Sequence, residues 1–272
     1  MVQAYFMKNM QLFLKENGLS FKDGRIDLPL STKRIFLDIG LSNDAHQSEI
    51  LARSNYDFVI FAFEPLTQNI EEIARENSSH SIILNAKRIG KEVFLLPCAL
   101  GKRTEESFVD FYVTKSDRGC SSLIQPASFE IQEIVQVPIF SLEEFLVLIP
   151  WSEFGYIDYV KIDAQGSDLD IISGAGALKN RILLVTCELS IDQYVGISND
   201  SYKILLHMLK SGFLPVTFGK NHLKLSRICK FFFWLICILK KLDIEIESVD
   251  PTFVNVRLLF FKRLRSLRVY ID

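Results

Sequence analysis

Residues 33–65, KRIFLDIGLSNDAHQSEILARSNYDFVIFAFEP, constrain this chain more than any other stretch. An apolar run ends in Asp38-Ile39-Gly40, a cluster of capping residues follows at Ser42-Asn43-Asp44, and helix-like periodicity leads to a second apolar run, Phe58 to Phe63. That run closes on Glu64-Pro65. Strand, tight turn, helix and strand make a βαβ unit with an acid at the carboxyl end of each strand. In open α/β sheets that rim is where ligands bind.

The rest of the chain extends the same pattern. A helix is expected over 2–17, ending at Asn17-Gly18, and Thr67 is expected to cap a helix running to about Asn77. Val93 to Leu96 reads as a third strand. Ser107 to Val113 and Val135 to Phe140 read as antiparallel partners, either added to the sheet or covering it as a hairpin. Ser141 with Glu144 is a capping box. Further strands are expected at 156–162, 182–187, 213–218 and 252–260, with helices after Asp163 and over 201–209. The alternation predicts one α/β domain: a Rossmann-like, doubly wound, mostly parallel sheet with an antiparallel end.

The chemistry expected of this chain lies at the strand ends. Right-handed crossovers bring Asp38, Glu64, Cys98-Ala99 and Asp163 to one rim. The turn at Gly40 lets backbone approach a ligand, and the amides opening the next helix suit an anion. Glu64, 26 residues after Asp38, is placed to accept both hydroxyls of a ribose. A nicotinamide dinucleotide wants G-x-G-x-x-G at the first turn, but Gly40-Leu41-Ser42-Asn43-Asp44-Ala45 has only the first glycine, and Asp44 would face a diphosphate. S-adenosyl-L-methionine carries a carboxylate, an ammonium and a sulfonium instead of phosphates, and it is compatible with acids. Its sulfonium methyl is already activated, so an enzyme mostly aligns donor and acceptor. Asp163 and His46 are candidates to take the acceptor's proton, and Lys161 would need a strongly lowered pKa to do so.

Phe36-Leu37-Asp38-Ile39-Gly40, Phe63-Glu64-Pro65, Ala99-Leu100-Gly101, Ser121-Ser122-Leu123, Val160-Lys161-Ile162-Asp163-Ala164-Gln165-Gly166 and Val249-Asp250-Pro251-Thr252-Phe253-Val254-Asn255 together resemble, in order, the signatures of FkbM-type methyltransferases. The resemblance covers roughly residues 33–256 and implies a class I methyltransferase fold using S-adenosyl-L-methionine, with many relatives methylating hydroxyls of sugars and polyketides. It implies cofactor contacts at Asp38, Gly40, Ser42, Asn43, Glu64, Ala99 and Asp163, with Asp163 as the catalytic candidate and no metal. The acceptor implied is a small molecule or glycan. The family's first motif, typically D-x-G-x-N-x-G, reads here Asp38-Ile39-Gly40-Leu41-Ser42-Asn43-Asp44, without the second glycine, and Gln165 stands where Glu is usual. A dinucleotide-dependent oxidoreductase or epimerase and a non-catalytic binding module are the rival readings.

Charge is divided along the chain. Residues 220–272 hold 11 Lys/Arg against 5 Asp/Glu, which leaves the rest acidic, so no nucleic-acid footprint is expected. The five cysteines show neither a disulfide framework nor zinc spacing, and the N-terminus is a poor signal peptide; a cytoplasmic location is expected. Residues 220–241 carry six Lys/Arg, no acids, and Phe231, Phe232, Phe233 and Trp234. They read either as a buried helix with basic flanks or as an interfacial helix that brings the protein to an anionic membrane or a lipid-linked substrate. The division expected is an N-terminal helical extension (1–32), the catalytic-type domain (33–260) and a basic tail (261–272).

Overall fold

The computed structural model describes residues 10–77, 81–188, 193–196, 201–217, 244–248, 250–261 and 267–271. The basic, aromatic segment 220–241 and the first residues of the helix expected over 2–17 lie outside these.

In chain order the described elements begin with α1 (10–16), β1 (Phe21–Lys22), β2 (Arg25–Ile26), β3 (Arg34–Ile39), α2 (His46–Ser54), β4 (Phe58–Phe63) and α3 (Thr67–Ala74). Next come β5 (Val93–Leu96), β6 (Ala99–Gly101), β7 (Phe108–Thr114), β8 (Ile131–Ser141), α4 (Leu142–Leu146), β9 (Ile157–Ile162) and α5 (Asp168–Ser173). The last are β10 (Ile182–Cys187), α6 (Ser201–Lys210), β11 (Phe213–Thr217), β12 (Ile244–Ser248), β13 (Thr252–Asn255), α7 (Val256–Phe261) and β14 (Leu267–Ile271).

Seven strands form the central sheet in the order β5-β4-β3-β9-β10-β13-β11. From β5 to β10 every pairing is parallel, and β13 runs antiparallel to both β10 and β11. The doubly wound sheet with an antiparallel end is therefore present. Strands covered on both faces need apolar side chains at every position; all six residues of β4 and all six of β10 are buried. Alternation splits them between two cores. Ile35, Leu37, Ile39, Phe61 and Phe63 pack with Met10 and Leu14 of α1, Phe145 of α4 and Ile171 of α5. Phe36, Ile60 and Ala62 pack on the other face with Leu51 and Ala52 of α2, Ile73 of α3 and Leu258 of α7. Met10 and Leu14 sit in the main core, so α1 packs against this sheet.

Three local expectations change. Thr67 is the first residue of α3 rather than its cap, which is Leu66, and the helix stops at Ala74. The strand expected over 252–260 turns into α7 after Asn255, whose Oδ1 accepts the amides of Arg257 (3.1 Å) and Leu258 (3.3 Å) and so starts a helix. Leu267–Ile271, expected in a basic tail, pair in parallel with β12, and Leu267 is buried in the second core. The β7–β8 hairpin does not join the central sheet; with β6 it forms a separate three-stranded sheet, of which Ala99, Leu100 and Phe111 line a cleft. Among the described residues no helix is long and apolar enough to cross a membrane.

Candidate active site

The chain runs outward from β3 through β4 to β5, then returns to lay β9 on the other side of β3. At such a reversal the two crossovers leave on opposite faces of the sheet and open a crevice at the carboxyl ends of the strands. A cleft of about 570 Å³, counting its open mouth, lies there. Gly40, Ser42, Glu64, Ala99 and Asp163 all line it.

Gly40 is the pivot. Its φ is +83°, and a Cβ at this position would lie 1.9 Å from the carbonyl oxygen of Asp163. No side chain fits between the ends of β3 and β9. The same ends are tied by Gly40 N–H to Phe63 O (3.0 Å) and Asp163 N–H to Ile39 O (2.9 Å). The Lys161 ammonium donates to Gly40 O at 2.9 Å. Close packing of strand ends, as much as access for a ligand, thus requires glycine here.

Glu64 follows β4 and is 4 % exposed. Its Oε1 accepts Leu66 N–H (3.0 Å) and Asn69 Nδ2 (3.1 Å), and its Oε2 accepts Leu41 N–H (3.2 Å). The carboxylate thereby joins the opening of α3 to the turn after β3. Burial raises its pKa to about 7, although these donors favour the charged form.

Asp38 and Asn43, expected at the cofactor, are not among the lining residues. Asp38 shares the strand phase of Phe36, so its side chain turns under the rim towards α2, where Ser48 Oγ donates to Oδ2 at 2.6 Å. Lys161, its register partner on β9, lies 3.7 Å from Asp38 Oδ1 and 3.4 Å from Asp163 Oδ2. Burial opposes the Lys161 charge, but the two carboxylates outweigh it and hold its pKa above the ordinary lysine value. Lys161 is therefore a fixed cation and not the base it was weighed as. Burial raises the pKa of Asp38, with Lys161 and Ser48 offsetting part of the rise. Asn43 instead donates to Glu72 Oε2 at 2.9 Å. His46, the other base weighed, opens α2 away from the cleft, and its amide donates to Asp44 Oδ1 at 3.1 Å.

Asp163 heads a polar cluster. Gln165, in a left-handed conformation (φ 49°), donates from Nε2 to Asp163 Oδ1 (2.6 Å) and to Glu188 Oε2 (2.9 Å). Its Oε1 accepts Tyr194 Oη at 2.7 Å. Burial and the charges of Asp163 and Asp168 push the Glu188 pKa well above the usual carboxylate range. Burial works against the charge on Asp163 too, yet Lys161 and the Glu188 carboxyl hold its pKa below the usual carboxylate range. Asp163, a third exposed, thus presents an ionised carboxylate to the cleft that Glu64 also lines.

The opposite wall comes from the hairpin sheet and the loop between β7 and β8. Phe111 and Leu123 join Phe63, Pro65, Cys98, Ala99 and Leu100 in an apolar slot beside Glu64. Ser122 Oγ donates to Gln165 O at 2.6 Å, which fastens the loop to the turn after β9. Arg118 on this loop reaches into the cleft and pairs with Glu72 of α3. Sequence reasoning missed Arg118, Phe111 and Tyr194, whereas Cys98, expected at the rim with Ala99, does line the cleft. Ser121-Ser122 was the one signal that marked this loop. No group of three or more His, Cys, Asp or Glu among the described residues could hold a metal ion.

A family model, Methyltransferase FkbM domain, matches residues 38–215, from the end of β3 to β11. No curated protein and no solved structure matches the chain. With nearly two thirds of its length matched, and with the sheet of a class I methyltransferase around the cleft, the chain belongs to the FkbM methyltransferase family.

Proposed function

We propose that this methyltransferase takes its methyl group from S-adenosyl-L-methionine and places it on a hydroxyl of a small-molecule or glycan acceptor. The observation that carries the reading is the buried Glu64 carboxylate at the end of the second strand, facing a cleft that pairs an apolar slot with a second acid. Glu64 suits vicinal ribose hydroxyls, each of which can donate to it. The slot formed by Cys98, Ala99, Leu100, Phe111 and Leu123 suits an adenine ring. Asp163, kept ionised by Lys161, suits an ammonium or a sulfonium. A diphosphate would meet two carboxylates in the same space, which disfavours a dinucleotide.

When bound, S-adenosyl-L-methionine supplies an electrophilic methyl group on a sulfonium. The chain's part is to hold donor and acceptor in line and to exclude water, which proximity and orientation reward by many orders of magnitude. Asp163 is the candidate to receive the proton that an acceptor hydroxyl loses. A depressed pKa is no obstacle, because that proton becomes strongly acidic as its oxygen is alkylated. Asp38 acts at one remove by fixing Lys161, and Lys161 fixes both Asp163 and the Gly40 carbonyl.

Calorimetry with S-adenosylmethionine, S-adenosylhomocysteine and NAD tests the donor. Micromolar binding of the first two and none of NAD is expected; binding of NAD alone would overturn the reading. Transfer of labelled methyl from the donor into a cell extract, followed by glycan fractionation, tests the acceptor, and label found only on protein or nucleic acid would overturn the hydroxyl-bearing metabolite or glycan.

A further inference from the structure

The methyl-donor reading leaves one charge on the ligand without a partner. The amino-acid end of the donor carries an ammonium and a carboxylate. Asp163 suits the first, while Glu64 and Asp163 both repel the second. In many α/β folds the amides at the start of the first crossover helix take such an anion. Here the chain's own acids occupy amides of that turn: Leu41 N–H is bonded to Glu64 Oε2 at 3.2 Å, and His46 N–H to Asp44 Oδ1 at 3.1 Å. A carboxylate arriving there would meet two others.

Among the described residues lining the cleft, Arg118 carries the one cationic side chain. It is held in place from outside. Glu72 takes one edge of its guanidinium, Nη1 donates to Gln68 Oε1 at 3.3 Å, and Glu72 is itself fixed by Asn43 Nδ2 at 2.9 Å. A guanidinium has five N–H donors in a planar fork, so these two bonds, one from Nη1 and one from Nη2, leave donors for an anion. The side chain is 29 % exposed. The loop also sits against the turn after β3, since a Cβ on Gly119 would lie 3.2 Å from Ser42 Oγ. The loop that carries Arg118 thus abuts the turn at Ser42, and Arg118 lines the same cleft as Gly40, Ser42 and Asp163.

We propose that Arg118 holds the carboxylate of the donor's amino-acid end, so that the hairpin loop, rather than the turn after β3, recognises that group. Glu72 and Asn43 would then be positioning residues that aim the guanidinium. This inference rests on the methyl-donor reading. The test compares S-adenosylhomocysteine with its decarboxylated analogue, S-adenosyl-3-thiopropylamine, which keeps the adenosine, the sulfur and the ammonium. Calorimetry should give the wild type a preference of roughly tenfold or more for the carboxylate-bearing ligand, as a charge-assisted, two-pronged hydrogen bond warrants. In Arg118→Gln the preference should vanish while affinity for the amine stays within about twofold. A variant that weakens both ligands equally, or a wild type without preference, would overturn the assignment and leave the donor reading standing. A wild type that binds neither ligand would overturn the donor reading itself. As a check that needs no variant, S-adenosylhomocysteine should protect Arg118 from phenylglyoxal, read by mass spectrometry, and the amine should not; equal labelling with both would also sink the assignment.

Discussion

Glu64 should make donor binding depend steeply on pH. Its carboxyl has a pKa of about 7 in the unliganded protein because burial disfavours the charge. Ribose hydroxyls are best accepted by the ionised form, so protonation competes with the ligand. If only ionised Glu64 binds, apparent affinity for S-adenosylhomocysteine should be nearly flat above pH 8. It should fall about tenfold by pH 6 and about thirtyfold by pH 5.5. At pH 7, where about half the molecules are protonated, binding should release roughly half a proton. Titrations in buffers of different ionisation enthalpy read that number directly. Asp250 titrates in the same range, with a pKa raised to about 6 by burial and Asp163, so the control is Glu64→Gln. That variant should bind more weakly at pH 8 and lose the slope. A slope that persists in Glu64→Gln, or a wild type with flat affinity from pH 5.5 to 8, would refute the assignment of Glu64 to the ribose.

The same shift has a consequence for stability with the opposite sense from an ordinary ion-paired acid. Glu64's folded pKa is raised above the unfolded value of 4.5, so its contribution is fully present below pH 4.5 and is lost as pH rises through about 7. The loss is roughly 3 kcal/mol at about 1.4 kcal/mol per pKa unit. On the proposed reading, the ligand's hydroxyls satisfy the charge that destabilises the empty protein, so binding should recover part of that loss.

Two further perturbations test the frame of the site. Gly40→Ala adds a Cβ 1.9 Å from the Asp163 carbonyl at a φ of +83°; left-handed strain and overpacking together should cost about 3 kcal/mol in urea unfolding, and a change below about 1 kcal/mol would show that the strand ends can part. Gln165→Glu, which installs the family's usual residue, replaces the donor to Asp163 and Glu188 by an acceptor. It should destabilise the protein by about 2–3 kcal/mol at pH 8, and Gln165→Glu with Glu188→Gln should recover much of that. Equal stability of wild type and Gln165→Glu would dismiss the clamp.

The strands were legible because β3, β4, β9 and β10 are short apolar runs ending in an acid or a turn, and the capping box at Ser141 was legible because both of its bonds are local. What could not be read was which way a residue faces. In a sheet covered on both faces, Phe36 and Leu37 are equally apolar, so the sequence carries no phase to say that Asp38 turns towards Ser48 and not into the cleft. Asn255 was hidden for a related reason: it sits inside an apolar stretch, and only its two capped amides show that a helix begins there. Arg118 reaches the cleft through partners 46 and 50 residues away, a closure that local patterning does not encode.

Asp44 and Gln165, which depart from the family's pattern, look in isolation like decay, and the structure gives each a partner. Asp44, where a second glycine is usual, is buried and uses its side chain on the amide that opens α2. The left-handed conformations of this turn fall instead on Ser42 (φ 57°) and Ala45 (φ 49°), which L-residues adopt only at some cost. Gln165 places an N–H₂ between Asp163 and Glu188, whose pKa burial already raises, where a third carboxyl would bring an acceptor in place of the donor. Drift after loss of function leaves buried polar groups unpartnered; these substitutions make new bonds around the cleft. They also move work from one element to another. A turn filled with the chain's own carboxylates repels an anionic ligand group, so recognition of that group must come from across the cleft, where Glu72 and Gln68 hold a guanidinium in place. On the proposed reading the altered first turn and the hairpin loop act as two halves of one site, and a change in either should be felt in the other.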